Sequence, residues 1–281
     1  MTRRSETFLL TVVAVAVAAF VLAPLLLMFA TSLKADENQI LRDLGNSNAF
    51  WVSPWEMSLE NFRQVLSNTT FPVLRYVLNS TIIVVSIVVV GIFVNSLAAF
   101  ALARMRFRGR SLAVMLVVAL IIIPMESLAI PLLLMMAQVG WVDSYRAQIV
   151  PFIAHPFSIF LFYQFFAAIP KDLDEAAYVA GASKLRTYWS VIMPLSLPTI
   201  ATVAILQSLE YWNAFLWPLM VTRSSEARPV SLALAQYFGT PPPIWGDVMA
   251  FSVIMSLPIL IVYFAFQRWF VQSTIGSGIK G

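Results

Sequence analysis

The sequence predicts an all-α integral membrane protein with six transmembrane helices, and three observations support this class. Of its 281 residues, 60% are hydrophobic and 11% are charged, whereas soluble domains have about 45–50% and 25%. Six apolar runs are each long enough to cross about 30 Å of hydrocarbon. The chain has no cysteine and one histidine, so disulfides are excluded and a metal site is not expected. A soluble enzyme domain, a coiled coil and a disordered chain are excluded.

The six apolar runs define the predicted spans. We place them at about residues 8–30, 76–102, 111–137, 148–168, 198–221 and 248–270. The first run has about 23 apolar residues, against 7–15 in a signal-peptide core, so we expect it to remain as a span. No segment between the runs is large enough for a second folded domain, and residues 1–281 are expected to form one transmembrane domain.

Basic residues predict the orientation of these spans. If the N-terminus is cytoplasmic, the inside segments hold eleven of the 18 Lys and Arg residues. Four of them, Arg104, Arg106, Arg108 and Arg110, lie in one short turn after the second span. Because short cytoplasmic loops carry an excess of Lys and Arg, both termini are expected to be cytoplasmic. The net charge of +4 therefore reports orientation, and no nucleic-acid partner is expected.

Residues for nucleotide binding or catalysis are not visible. The sequence has no GxxxxGK[ST] phosphate loop, no Ser-His-Asp arrangement and no set of metal ligands. The energy for active transport would come from an ion gradient or from another subunit.

Polar side chains inside the spans mark a candidate pathway. Glu126 lies near the middle of the third span, where a carboxylate is costly unless it faces a cavity or a partner. In the fifth span Gln207, Glu210 and Asn213 recur every three residues on one broad face, which Trp217 extends. These are the candidate pathway-lining residues. The alternatives are a carboxylate paired for packing and a tryptophan that anchors the membrane interface.

The segment between the fourth and fifth spans, residues 170–193, predicts two short helices joined by a turn. Acidic residues, among them Asp174 and Glu175, occupy the first helical turn, where the helix dipole favours them. Gly181 is placed to end this helix in the left-handed conformation. Ser183 can cap a second helix over residues 184–191, which Pro194 and Pro198 end or redirect. An ordinary connecting loop is the alternative interpretation.

The residue pattern of this segment is more specific than its helices. It contains Glu175-Ala176-Ala177, then Gly181-Ala182, and finally Ile192-Met193-Pro194-Leu195. This pattern resembles the EAA loop of ABC importer permeases of the maltose type. The resemblance extends along most of the chain, in Asn79-Ser80, residues 98–104, residues 107–110, Trp212-Asn213, residues 217–219 and the terminal residues 278–281.

The resemblance implies a type I importer permease fold and a division of labour among subunits. In such a system a homologous second permease completes the pathway, two ATPase subunits bind ATP and Mg, and an extracytoplasmic binding protein delivers the solute. This chain would then bind no cofactor and lie in a bacterial-type cytoplasmic membrane, in contact with lipid. The solute would be a carbohydrate or a carbohydrate-like molecule.

The same resemblance implies a coupling helix that docks into the ATPase. The residues that match it are Asp174, Glu175, Ala176, Ala177, Gly181 and Ala182. Two residues depart from the family pattern. Val179-Ala180 stands where an acidic residue is common before the glycine, which implies a differently tuned docking contact, and Tyr178 stands where a basic residue is common, which implies a different choice of ATPase partner.

The loop at residues 222–247, between the last two spans, is a candidate contact for the binding protein. It carries Tyr237, Phe238 and Trp245 around three consecutive prolines, and aromatic residues are enriched at protein interfaces. The alternative is a loop lying on the membrane with Trp245 as its anchor.

Two other functions remain open for the chain as a whole. One is a secondary transporter or channel in which Glu126 and Glu210 couple ions. A membrane enzyme is the less favoured one, because no catalytic arrangement is visible.

Overall fold

A computed structural model describes residues 3–239 and 241–278, with side chains for residues 7–239 and 241–267. The described residues form α-helices joined by turns, and the prediction of an all-α chain is confirmed. In chain order the helices are α1 (Arg3–Ser32), α2 (Glu37–Asp43), α3 (Glu60–Ser67), α4 (Val73–Arg104), α5 (Arg110–Ile122), α6 (Met125–Gln138), α7 (Tyr145–Ile149), α8 (Pro156–Ala168), α9 (Asp172–Val179), α10 (Lys184–Thr187), α11 (Met193–Leu195), α12 (Leu197–Trp212), α13 (Leu216–Val221), α14 (Val230–Phe238) and α15 (Trp245–Gly278).

Within the described residues, four helical segments are long and apolar enough to cross a membrane. They are Thr7–Ser32, Val73–Arg104, Tyr145–Ala168 and Trp245–Gln267. Two bent pairs raise the number to six if each pair counts as one span. These pairs are α5 with α6, bent by 100°, and residues Lys184–Leu195 with α12, bent by 75°.

Three predicted spans are interrupted, and prolines lie at the breaks. In the fourth span α7 ends at Ile149 and α8 begins at Pro156. Ile123, the C-cap residue of α5, has an extended backbone, because Pro124 disfavours a helical conformation in the residue before it. Between α12 and α13, Pro218 cannot donate to the carbonyl of Ala214, and its ring would crowd that carbonyl in a continuous helix. Ser231 Oγ instead donates to the Ala214 carbonyl at 2.6 Å.

The chain divides into two compact units, although the sequence predicts one domain. The first comprises Met1–Val77 and Leu232–Leu257. In it, the segment after α1 folds back onto the end of that helix. Ser58 N–H donates to the Leu33 carbonyl at 2.9 Å, and Asn61 Nδ2 donates to the Ser32 and Lys34 carbonyls.

The start of α15 in this first unit is held by a carboxylate from α2. The backbone N–H groups of Trp245 and Gly246 donate to Glu37 at 2.8 and 3.2 Å. A carboxylate is favourable here because the first N–H groups of a helix have no partner within the helix. Gly246 also leaves room for the side chain of Asn61, since a Cβ atom there would lie 2.6 Å from Asn61 Nδ2.

The second unit comprises Leu78–Ser231 and Pro258–Gly281. Its largest described cluster packs α4, α8, the π-helical turn Tyr188–Ile192 and α12 around Phe162, Phe166 and Tyr188, which are fully buried. The Tyr188 hydroxyl also lies 2.8 Å from Ser96 Oγ. The cluster thus joins the segment after α9 to the middle of the unit.

The Asn79-Ser80 pair at the start of this unit positions the chain that leads into α14. Asn79 Nδ2 donates to the Arg228 carbonyl at 2.9 Å, and Ser80 Oγ accepts the Val230 N–H at 2.8 Å. Both side chains are buried, so their polar atoms need such partners. This gives the dipeptide a structural role.

Candidate functional site

The turn after α9 has the geometry that the sequence predicts. Gly181 has a φ of +79°, and its N–H donates to the Tyr178 carbonyl while Ala182 N–H donates to that of Ala177, both at 2.9 Å. These two bonds define a Schellman motif. Ser183 Oγ accepts the Arg186 N–H, so the predicted cap of the next helix is confirmed.

Helix α9 presents nearly all of its surface outward. Glu175, Ala176 and Gly181 are exposed, and Val179 is 92% exposed. Of the candidate coupling residues, Ala177 and Ala182 are half-buried. Such an exposed apolar and acidic helix is available for docking to another subunit.

Asp174 differs from the other coupling candidates because it points inward. It is the one buried residue of α9, and its Oδ2 lies 3.0 Å from Arg104 Nη1. It is therefore placed for a contact within the chain.

The helical path after the turn continues further than expected. The sequence predicts a second helix ending before Pro194, but helical turns run through α10, the π-helical turn and α11 to Leu195. The helical path bends by 75° at Ser196, the N-cap of α12. Pro194 lies in α11 directly after the π-helical turn.

A cavity of about 550 Å³ lies inside the second unit. Its volume is in the range of small-molecule sites, about 300–1,000 Å³. Among its lining residues are three of the predicted pathway residues, Glu126, Glu210 and Trp217, together with His155 and Tyr211. Residues distant in sequence thus meet in one mainly apolar cavity that carries a few polar and aromatic side chains.

A histidine and a carboxylate contact each other in the cavity wall. His155 Nε2 lies 3.5 Å from Glu210 Oε2, and His155 Nδ1 lies 2.8 Å from Ser158 Oγ. His155, the N-cap residue of α8, thus contacts Glu210 of α12. Its neighbour Tyr211 adds a ring 6.3 Å from the imidazole.

Glu126 reaches the cavity from a helix terminus. Because Pro124 starts a new helix, Glu126 lies in the first turn of α6, where the dipole favours a carboxylate. The sequence predicts this carboxylate in the middle of a span, where only a cavity or a partner would make it tolerable. In the structure the start of a helix also stabilises it.

Two predicted pathway residues lie elsewhere. Gln207 is 1% exposed and lies beside Gly91 of α4, whose added Cβ atom would be 3.4 Å from its Oε1. Asn213 lies beyond the end of α12 and donates to the Leu209 carbonyl at 2.8 Å. Neither lines the described cavity. Residues three apart drift around a helix by about 60° per step, so this row does not keep one face.

The aromatic residues predicted to contact a binding protein form two groups in the first unit. The Tyr237 hydroxyl donates to Asp247 Oδ2 at 3.1 Å, and its ring packs edge-on against Phe71. Burial and the Asp247 carboxylate raise the pKa of Tyr237 to about 12, so the phenol keeps its proton. Phe238 and Trp245 pack together at 5.5 Å, with Phe238 48% exposed.

Comparison with known families decides what kind of protein carries these features. A family described as "Binding-protein-dependent transport system inner membrane component" matches residues 87–276. The chain belongs to this family. It is a multi-pass membrane permease, and the matched range contains α9 and most of the residues that line the cavity.

Individual relatives agree with this assignment. The permease is 36% identical to the trehalose/maltose transport system permease protein MalG of Thermococcus litoralis, over 81% of this chain and 83% of the relative. It is 31% identical to the arabinooligosaccharides transport system permease protein AraQ of Halalkalibacterium halodurans, over 98% and 97%.

A solved structure shares the fold of the permease. The crystal structure of a bacterial ABC transporter involved in the import of the acidic polysaccharide alginate superposes with a TM-score of 0.81. The match covers 96% of this chain and 99% of that one, at 23% identity. It confirms the predicted importer permease fold.

Sequence reasoning missed two residues of the permease that the structure brings to these sites. The sequence does not single out Tyr211 as a site residue, because aromatic residues are frequent in apolar helices. Arg104 was assigned only to orientation, although it is 4% exposed. No local signal distinguishes it from the three neighbouring arginines.

Proposed function

We propose that this permease is the transmembrane subunit of an ATP-driven ABC importer for a carbohydrate or a carbohydrate-like solute. It forms half of the translocation pathway together with a homologous permease. Two separate ATPase subunits hydrolyse ATP, and an extracytoplasmic binding protein delivers the solute. The whole assembly lies in a bacterial-type cytoplasmic membrane.

The exposed helix α9 is the observation that carries this proposal. A rigid helix that ends in a hydrogen-bonded turn, with Glu175 and Val179 outward, suits docking into a cleft of another protein. Its resemblance to the EAA loop supports an ATPase subunit as the occupant of that surface. Secondary transport receives no support from the relatives, which are named as components of transport systems of this family.

The cavity and the relatives support a sugar as the solute. Hydroxyl groups need hydrogen-bonding partners when they leave water, and Glu126, Glu210 and His155 provide them. The rings of Tyr211 and Trp217 provide aromatic faces beside these groups. The two relatives above are named for trehalose, maltose and arabinooligosaccharides.

The experiment uses the complete complex purified through this chain. A pull-down identifies the co-purifying binding protein, whose affinities for maltose, trehalose and arabinooligosaccharides are then measured. Uptake of the bound sugar into membrane vesicles is expected to require ATP and to persist when ion gradients are collapsed. Uptake driven by an ion gradient without ATP would overturn the proposal.

A single substitution tests the docking surface in the same vesicles. Glu175→Lys reverses a charge in the first turn of α9 and is expected to lower binding-protein-stimulated ATP hydrolysis by about tenfold or more, a usual size for coupling between sites. Lys184→Glu, an exposed charge reversal in α10, is the matched control outside α9. Equal activities of wild type and Glu175→Lys would show that α9 is not the docking element.

A further inference from the structure

The guanidinium group of Arg104 joins three helices at one point. Arg104 is the last residue of α4. Its Nη1 lies 3.0 Å from Asp174 Oδ2 in α9, and its Nη2 donates to the Ile169 carbonyl, the C-cap of α8, at 2.8 Å. One side chain therefore links the C-terminal ends of α4 and α8 to the short helix α9.

The pair is buried, which makes it costly to separate. The side chains of Arg104 and Asp174 are 4% and 12% exposed. In the described part of the chain, Arg104 Nε and Asp174 Oδ1 have no hydrogen-bond partner. Buried ion pairs are often no more stable than apolar residues of the same size. Stability alone therefore does not account for a buried pair with unsatisfied atoms.

The location of the pair suggests a mechanical role. Within α9 Asp174 is the one buried residue, while the remaining residues face outward or lie half-exposed. A force applied to the exposed surface of α9 passes to the rest of the unit through the few contacts that this helix makes inward. Arg104 delivers that force to α4 and to the end of α8 together.

We propose that Arg104 and Asp174 are positioning residues that make α9 move as one body with α4 and α8. This inference rests on the proposed docking of an ATPase to α9. It assigns Asp174 to a contact inside the chain and leaves the contact with the ATPase to exposed residues such as Glu175. It also gives Arg104 a role distinct from membrane orientation.

The test measures whether α9 and α4 move together when the ATPases close. Because the chain has no cysteine, spin labels can be attached at Lys171→Cys, the exposed N-cap of α9 outside the candidate docking residues, and at Leu78→Cys in α4, which is 57% exposed. The distance between them is recorded in the reconstituted complex before and after trapping with Mg-ATP and vanadate.

With the pair intact, the distance distribution is expected to stay unchanged on trapping. Arg104→Met removes both links and is expected to shift the distribution and to abolish stimulated ATP hydrolysis, with the ATPase still bound. Arg108→Met removes an exposed arginine of the same turn and is expected to behave as wild type. An unshifted distribution in Arg104→Met would overturn the proposal.

A second variant covers the case in which Arg104→Met does not assemble. Asp174→Asn keeps the size of the side chain and leaves the bond from Arg104 to Ile169 in place, so it loosens α9 alone. It is expected to produce a smaller shift and a partial loss of stimulation, with unchanged assembly. Wild-type distances and wild-type stimulation in this variant would also overturn the proposal.

Failure of the proposed function gives a different result. If no ATPase co-purifies with the wild-type complex, or if vanadate traps no nucleotide, then α9 is not an ATPase-docking helix and both proposals fail. If nucleotide is trapped and the distances in Arg104→Met stay unchanged, the docking helix stands and only the role of the pair is rejected.

Discussion

Asp143 connects two turns of the second unit through one oxygen atom. Its Oδ1 accepts the N–H groups of Arg223 and Ser224 at 2.9 and 3.0 Å, while its own N–H donates to the Val221 carbonyl. The residue has a φ of 60°, which aspartate tolerates better than most residues. Burial raises the pKa of Asp143, but the bonds from Arg223 and Ser224 outweigh it, and the pKa is lowered overall.

Replacing this carboxylate tests the electrostatic part of the contact. Asp143→Asn tolerates the same backbone and keeps an acceptor oxygen, but loses the charge, so we expect a loss of about 1 kcal/mol. That corresponds to a decrease of about 2–4 °C in the thermal midpoint of the purified complex at pH 7. Arg223→Gln, whose backbone N–H is retained, is expected to change the midpoint less.

The pH dependence of this difference follows from the direction of the pKa shift. A pKa below the ordinary value of 3.8 means that the folded state favours the charged form. The stabilisation is complete above pH 3.8 and is lost as the pH falls through the folded-state pKa. The midpoints of wild type and Asp143→Asn should therefore approach each other below about pH 4. A constant difference down to pH 3 would contradict this account.

At the scale of an element, α9 depends on one backbone conformation at its end. Gly181 has a φ of +79°, and a Cβ atom there would meet nothing within 4 Å. Any effect of substitution thus comes from the backbone and not from a clash. The left-handed conformation costs a residue with a Cβ atom about 1–2 kcal/mol, and asparagine less than most.

Substitutions at Gly181 should therefore rank by their backbone preference. Gly181→Asn is expected to keep most of the stimulated ATP hydrolysis, whereas Gly181→Val should lose most of it, because valine destabilises the turn that positions α10. Gly45 also has open space around it and has no positive φ, so Gly45→Val is the matched control. Equal effects of Asn and Val at Gly181 would show that the turn is not required.

At the scale of the whole molecule, the orientation of the chain in the membrane is a prediction that rests on its basic residues. The turn with Arg104, Arg106, Arg108 and Arg110 is expected in the cytoplasm. The chain has no cysteine, so Phe107→Cys and Trp55→Cys, at positions 47% and 85% exposed, can report the side of the membrane. A membrane-impermeant maleimide should label Cys at position 55 in intact cells or spheroplasts and that at position 107 only after permeabilisation. The reverse pattern would invert the topology.

The sequence by itself determined the class of protein and its local turns. Apolar composition dictates a membrane location, because about 20 consecutive apolar residues are stable only in hydrocarbon or a core. The turn at Gly181 and the cap at Ser183 were also predictable, because they depend on residues close in sequence. The family resemblance came from a local pattern of the same kind around Glu175.

Only the tertiary structure decided which distant residues meet. Arg104 with Asp174, and His155 with Glu210, are pairs from different helices, and their contacts depend on how those helices pack. The same packing buries Gln207 beside α4. Asn213 lies beyond the end of α12, so it does not continue the predicted row of polar residues on that helix. Periodicity gives the direction of a side chain from its own helix axis, but not the neighbour that it faces. That neighbour is set by helix packing and by the breaks at Pro124 and Pro218.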